Sequence, residues 1–303
     1  MAEKIYPSLV MSEGVGRERV TVWSGGMALD ADLYRPEVVS PDAALPAVVL
    51  GHGWGGGKLT AERYAALFAS AGMITLTFTQ SSWFGSGSPL QLVGDGGAPD
   101  FEGGNEALTR VRFIRDLVAP FAWVANLRAA LDYIEGEPNV DPARIGVWGT
   151  SFGGGVAVYV AAHDDRVKAL TVQVPAIAPL SGPMAQLARK RAIDTARGDF
   201  YAIPQNVDPW PGMEGTPHLA EMAHFDPLAQ VDRLRIPTLI IDAGDDELFP
   251  IADNGGRAAE ILAGVPGSVV DYRIIPGITH YGIYFDGYEA GSHAAVTWWG
   301  RHL

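Results

Sequence analysis

Residues Gly149-Thr150-Ser151-Phe152-Gly153 set a serine between two glycines, and this spelling allows very few backbones. The apolar run before it, Arg144-Ile145-Gly146-Val147-Trp148, predicts a buried strand. The small-residue run after it, Gly154 to Ala162, predicts a helix. A chain that passes from strand to helix this quickly must turn sharply at Ser151. A side chain two positions away on either side would collide with that turn, so glycine stands at both places. The serine is then held in a strained conformation at the head of a helix, facing its unpaired N–H groups and positive dipole end. That is a setting for a nucleophile. The pentapeptide occurs once in the chain.

The pattern around it alternates. Arg17 to Trp23 and Met27 to Tyr34, divided by Ser24-Gly25-Gly26, predict an antiparallel hairpin. Strands are expected at Leu45 to Leu50, Met73 to Phe78, Val167 to Val174, Thr238 to Asp242 and Val269 to Ile275. Helices are expected at Thr60 to Ala71, Phe113 to Ile134, Asp253 to Leu262 and Gly287 to Arg301. Ser81 to Asn105, rich in Gly, Ser, Pro and Asp, predicts a long loop. Strands alternating with helices mean an α/β chain, a mostly parallel twisted sheet with helices on both faces. Pro175 to Leu234 interrupts the alternation with helical pieces at Met184 to Arg197 and Leu219 to His224, separated by four prolines. A stretch this long between strands reads as an inserted cap, or else as a plain surface excursion. The expected division is a core of residues 1–174 and 235–303 with a cap of residues 175–234.

Composition narrows the function. The 303 residues carry a net charge of −13, which disfavours nucleic acid and anionic membrane as partners. There is no cysteine, so neither disulfides nor a thiol nucleophile is available. The histidines lack metal-ligand spacing. No basic start followed by an apolar stretch marks a signal peptide, and no run approaches a membrane span. A cytoplasmic protein acting on a small molecule without cofactor or metal is the expectation; self-association into a homo-oligomer stays open.

A serine hydroxyl needs a base to take its proton, and the base needs a third group to orient it. His280 follows the last strand in Pro276-Gly277-Ile278-Thr279-His280-Tyr281-Gly282, on a glycine-punctuated turn. Acid candidates are Asp242, Asp245, Asp246 and Glu247, after Thr238 to Ile241; strand alternation makes Asp242 structural. His52-Gly53-Trp54-Gly55-Gly56-Gly57 follows a strand as a glycine-rich loop, yet Lys58 comes too soon for a P-loop. His218 and His224 lie in the expected cap, as pocket residues or simply as surface ones.

Together these residues resemble the α/β-hydrolase superfamily from about Arg17 to Leu303. The closer resemblance is to dienelactone-hydrolase-like and acetylxylan-esterase-like serine hydrolases, on His52 to Gly56, Asn139 to Ser151 and Pro276 to His280. The resemblance implies the chain order Ser, acid, His. It selects Asp246, four residues before Pro250, with Asp245 as the alternative. It implies an oxyanion hole from the Trp54 and Phe152 amides. It also implies pocket walls at Trp83 and Phe84, in the turn after a core strand, and Tyr281 lies near the expected mouth. The implied activity is cleavage of small to medium carboxylic esters through an acyl-enzyme. Two departures bear on substrate: dienelactone hydrolases use cysteine where this chain has Ser151, and they tend to lack the 175–234 insertion. Prolyl-oligopeptidase-type peptidases are also similar. Peptidase or amidase, lactonase and acyltransferase chemistry share the same residues; a non-catalytic binding scaffold is disfavoured because no member of the set is missing.

Overall fold

The computed structural model describes residues 6–93 and 108–303. The hairpin strands are β1 (Val15–Ser24) and β2 (Met27–Pro36). Gly25 and Gly26 both have positive φ, 55° and 80°, so a two-residue turn joins strands of matching twist. Then follow β3 (Leu45–Gly51), α1 (Glu62–Ser70), β4 (Ile74–Phe78), α2 (Pro120–Glu135), β5 (Val140–Thr150), α3 (Phe152–Ala161) and β6 (Val167–Gln173). After α4 (Gly182–Arg197) come β7 (Thr238–Ala243), α5 (Gly255–Ala263), β8 (Val270–Ile275) and α6 (Tyr288–His302).

These eight strands form one sheet in the order β1-β2-β4-β3-β5-β6-β7-β8. The β1/β2 and β2/β4 pairs are antiparallel and the rest parallel. Strand alternation sends neighbouring side chains to opposite faces. In β3, Val49 joins one core with Trp123 and Leu127 of α2 and Val156 of α3. Val48 and Leu50 join the other core with Tyr64 and Phe68 of α1 and Trp299 of α6. Both faces are thus covered, as parallel strands require.

Two expectations need correction. The helix expected from Phe113 begins at Pro120, because proline fits the first helical position, where no N–H partner is lost. The residues before it are extended: Val111–Phe113 pairs antiparallel with Leu90–Leu92, and Leu117–Val118 pairs parallel with Thr216–Pro217. Of the long loop expected at 81–105, residues 94–105 lie outside the described residues, and Leu90–Leu92 is a short strand. Residues 175–234 leave the end of β6 and hold α4, a single turn at Leu219–Met222 and a 3-10 turn at Leu228–Arg233.

Candidate active site

Ser151 sits between β5 and α3 with φ 54° and ψ −127°, a conformation L residues seldom adopt. The surroundings hold it there. Its N–H donates to the Gln173 carbonyl at 3.0 Å, and its own carbonyl accepts from Gly154 at 2.9 Å and Ala176 at 3.0 Å. The flanking glycines are required by contact. A Cβ on Gly149 would lie 2.6 Å from the Gly153 carbonyl oxygen, and one on Gly153 would overlap the His52 carbonyl.

His280 reaches this serine from the loop after β8. Its Nε2 is 3.0 Å from Ser151 Oγ, and its Nδ1 is 2.8 Å from Asp246 Oδ2. The carboxylate can only accept, so Nδ1 carries the proton and Nε2 presents its lone pair to the hydroxyl. The other Asp246 oxygen accepts from the Leu248 and Phe249 amides at 2.9 Å each. Both side chains are nearly sealed from water, at 1% for His280 and 2% for Asp246.

The neighbouring acids separate by environment. Asp245 is exposed and only its backbone is engaged, donating to the Ile278 carbonyl. Asp242 is buried under the start of α5, and burial pushes its carboxyl up to about 7 despite the hydrogen bond from the Tyr272 hydroxyl at 3.0 Å. Glu247 has a role the sequence reading did not assign. Its Oε2 accepts the His280 backbone N–H at 2.8 Å, tying the acid loop to the histidine loop. Three consecutive acids mark the loop, but nothing in their spelling says which way each points.

The glycine-rich loop after β3 lies against the elbow: a Cβ on Gly53 would fall 2.8 Å from the Ser151 Cβ. The Phe152 amide is in the first turn of α3, where the helix offers no acceptor. Trp54 and Phe152 rings meet edge to face at 5.8 Å. His52, also unassigned by the sequence, braces this loop. Its Nδ1–H donates to the Gly53 carbonyl at 2.7 Å and its Nε2 accepts from the Gln80 amide at 3.0 Å. Burial lowers its pKa to about 4, so the ring is neutral and its tautomer fixed. At the loop's far end Lys58 Nζ lies 2.9 Å from both Asp30 and Asp32 of β2.

A cavity of about 310 Å³ opens beside Ser151. Trp54, Phe152 and Tyr281 line it, with Trp210, Met213 and Phe225 from the 175–234 segment and Leu248 and Phe249 from the acid loop. Trp83 and Phe84 do not line it. Trp83 is buried in the core and donates to the Leu117 carbonyl at 3.0 Å, while Phe84 is 90% exposed. The turn after β4 points one ring inward and one outward, and neither toward the cavity. Nor does the cavity include His218, which caps the turn at Leu219–Met222, or the exposed His224. Among the described residues no group of three or more His, Asp or Glu is arranged to hold a metal, and no helix is long and apolar enough to cross a membrane.

The model of the dienelactone hydrolase family matches residues 29–193, and that of the prolyl oligopeptidase family matches residues 123–303. The quorum-quenching protein AidA of Acinetobacter baumannii (strain MDR-ZJ06) is 31% identical over 165 residues, which are 54% of this chain and 45% of that protein. The match therefore spans less than half of that relative's length. Among solved structures, α/β hydrolase GrgF from Penicillium sp. sh18 superposes with a TM-score of 0.69 at 17% identity, covering 95% of this chain and 99% of that one. Acetyl xylan esterase from Paenibacillus sp. R4 gives 0.66 at 18% identity, covering 99% and 88%. At these identities the likeness is one of fold.

Proposed function

Because the chain belongs to the dienelactone hydrolase family and, over residues 123–303, to the prolyl oligopeptidase family, we propose that it is a serine hydrolase of small-molecule carboxylic esters. The observation that carries this reading is the unbroken hydrogen-bonded line from Ser151 Oγ through His280 to Asp246, starting at a strained elbow.

His280 Nε2 takes the hydroxyl proton as Ser151 Oγ bonds to the ester carbonyl carbon. Asp246 holds the ring's tautomer and stabilises the imidazolium that forms. The Trp54 and Phe152 amides meet the developing oxyanion, each worth on the order of 3 kcal/mol. The tetrahedral intermediate collapses, the alcohol leaves with the proton from His280, and an acyl-enzyme remains. Water, deprotonated by the same histidine, then releases the acid and restores Ser151. No step calls for a cofactor. Residues 175–234 act as the cap that excludes bulk water from this sequence, and their contribution to the cavity wall supports that role.

The prolyl oligopeptidase match favours a second reading, cleavage of an amide by the same residues. Both are tested by hydrolysis of p-nitrophenyl esters from acetate to palmitate beside the matching p-nitroanilides, with Ser151→Ala as control. Ester turnover that vanishes in Ser151→Ala, with anilides inert, is the expected result. Turnover of anilides at comparable kcat/KM would replace the esterase by an amidase, and activity surviving in Ser151→Ala would remove the serine mechanism altogether.

A further inference from the structure

The walls of the cavity bear on what the acyl group can be. Four rings run through them in contact: Trp210 lies 5.8 Å from Trp54, Trp54 5.8 Å from Phe152, and Phe152 5.9 Å from Phe225. Among the described residues lining the cavity, none carries a charge. A carboxylate or ammonium group entering it would lose its hydration with no counter-charge in return. An apolar cavity of ~150 Å³ holds one benzene, so about 310 Å³ gives room for roughly twice that. Trp210 is part of the wall of this space, and the loop that carries it is held at two points. The Trp54 indole N–H donates to the Glu214 carbonyl at 2.6 Å, and Arg191 of α4 grips Asp208, at 2.6 and 2.8 Å.

We propose that Trp210 is a specificity-determining residue that closes an uncharged acyl pocket, and that the substrates are esters of neutral, apolar acids of about six to ten carbon atoms. This rests on the reading of Ser151 as the nucleophile. The pocket shares its walls with the two residues that supply the oxyanion amides, so an acyl chain filling it brings its carbonyl to them. Longer chains meet the Trp210 ring. Acids bearing a second charge are turned away by desolvation.

The test uses n-alkyl fluorophosphonates, whose P-alkyl chain stands in for the acyl chain. Ser151 Oγ bonds to phosphorus, fluoride leaves, and the serine proton passes to His280. Butyl, octyl and hexadecyl probes, an octyl probe ending in a carboxylate and its methyl ester are compared by the rate of mass gain at Ser151. Wild type is expected to prefer octyl to hexadecyl by ~10-fold and the methyl ester to its carboxylate by ~100-fold. In Trp210→Ala the length preference falls toward unity, and in Trp210→Phe it stays within about twofold of wild type. A carboxylate probe that reacts as fast as its ester, or the same length profile in Trp210→Ala, overturns the proposal. If Trp210→Ala fails to fold, Trp210→Leu carries the length test in its place, its preference expected to fall toward unity, and an unchanged profile there overturns the proposal equally. A wild-type protein that reacts with no probe overturns the nucleophile reading, whereas labelling without length or charge preference overturns the pocket alone.

Discussion

Two buried residues make the site's stability respond to pH in opposite directions. The carboxyl of Asp242 is raised in the fold to about 7, so its favourable contribution is present below its ordinary value near 3.8 and is lost as pH rises to about 7. The His52 ring is lowered to about 4, so its contribution is present above 6.5 and is lost as pH falls toward 4. Asp242→Asn keeps an acceptor for the Tyr272 hydroxyl and removes the charge. Urea unfolding from pH 4 to 8 should therefore show the variant gaining on wild type as pH rises, by ~3 kcal/mol at pH 8. Equal pH slopes for the two proteins would contradict the burial argument. Gly153→Ala should be far harsher. Its Cβ would overlap the His52 carbonyl, itself fixed in the glycine-rich loop after β3, and a loss of ~3 kcal/mol or more is expected in the same assay, together with Ser151 labelling. That steric demand was readable in advance, because two glycines around a serine mean one thing physically. The direction of a ring was not: Trp83 and Phe84 are adjacent aromatics, and only the turn that carries them decides that one is core and the other faces solvent.

At the scale of elements, the core strands were legible because strands covered on both faces read as mostly apolar runs, and Ile74–Phe78 and Thr238–Ala243 are buried at every residue, Thr75, Thr77, Thr238 and Asp242 included. The start of α2 lies later than expected because Val111, Phe113, Ile114 and Leu117 are apolar at a spacing that also fits a helix face. The proline at its true start was nevertheless in plain view. Loops are where the sequence fell short. Glu247 and His52 act through single hydrogen bonds between segments far apart in the chain, and no local pattern records such a pairing. The glycine-rich loop shows the same thing energetically. Lys58 neutralises two partly or fully buried carboxylates from β2, with Asp32 only 3% exposed. Lys58→Met removes that cation and leaves the acids to Arg17 and Arg19. The thermal midpoint should fall by an amount equivalent to ~3 kcal/mol, and an unchanged midpoint would mean the ion cluster contributes nothing net.

Over the whole molecule, the sheet sets the serine, acid and histidine loops at the ends of β5, β7 and β8, while residues 175–234 supply part of the wall of the cavity beside Ser151. Within that segment Arg191 braces the loop that carries Trp210, gripping Asp208 and lying 4.1 Å over the Phe200 ring. Arg191→Ala should loosen the loop bearing Trp210 and raise KM for octanoate esters by ~5-fold, with kcat on acetate much less affected. A fall in kcat alone would place the effect in the chemistry instead. The N-terminal hairpin has an equally long reach. Asp30 and Asp32 contribute no atom to the hydrogen-bonded line at Ser151, and the hairpin lies at the sheet's far edge from His280. Yet its lysine clasp sits four residues after Trp54. A chain trimmed to begin at β3 would keep the serine, the acid and the histidine and give up the anchor of the loop beside them, so the first two strands cannot be exchanged or removed as a detachable ornament when this scaffold is recombined with others.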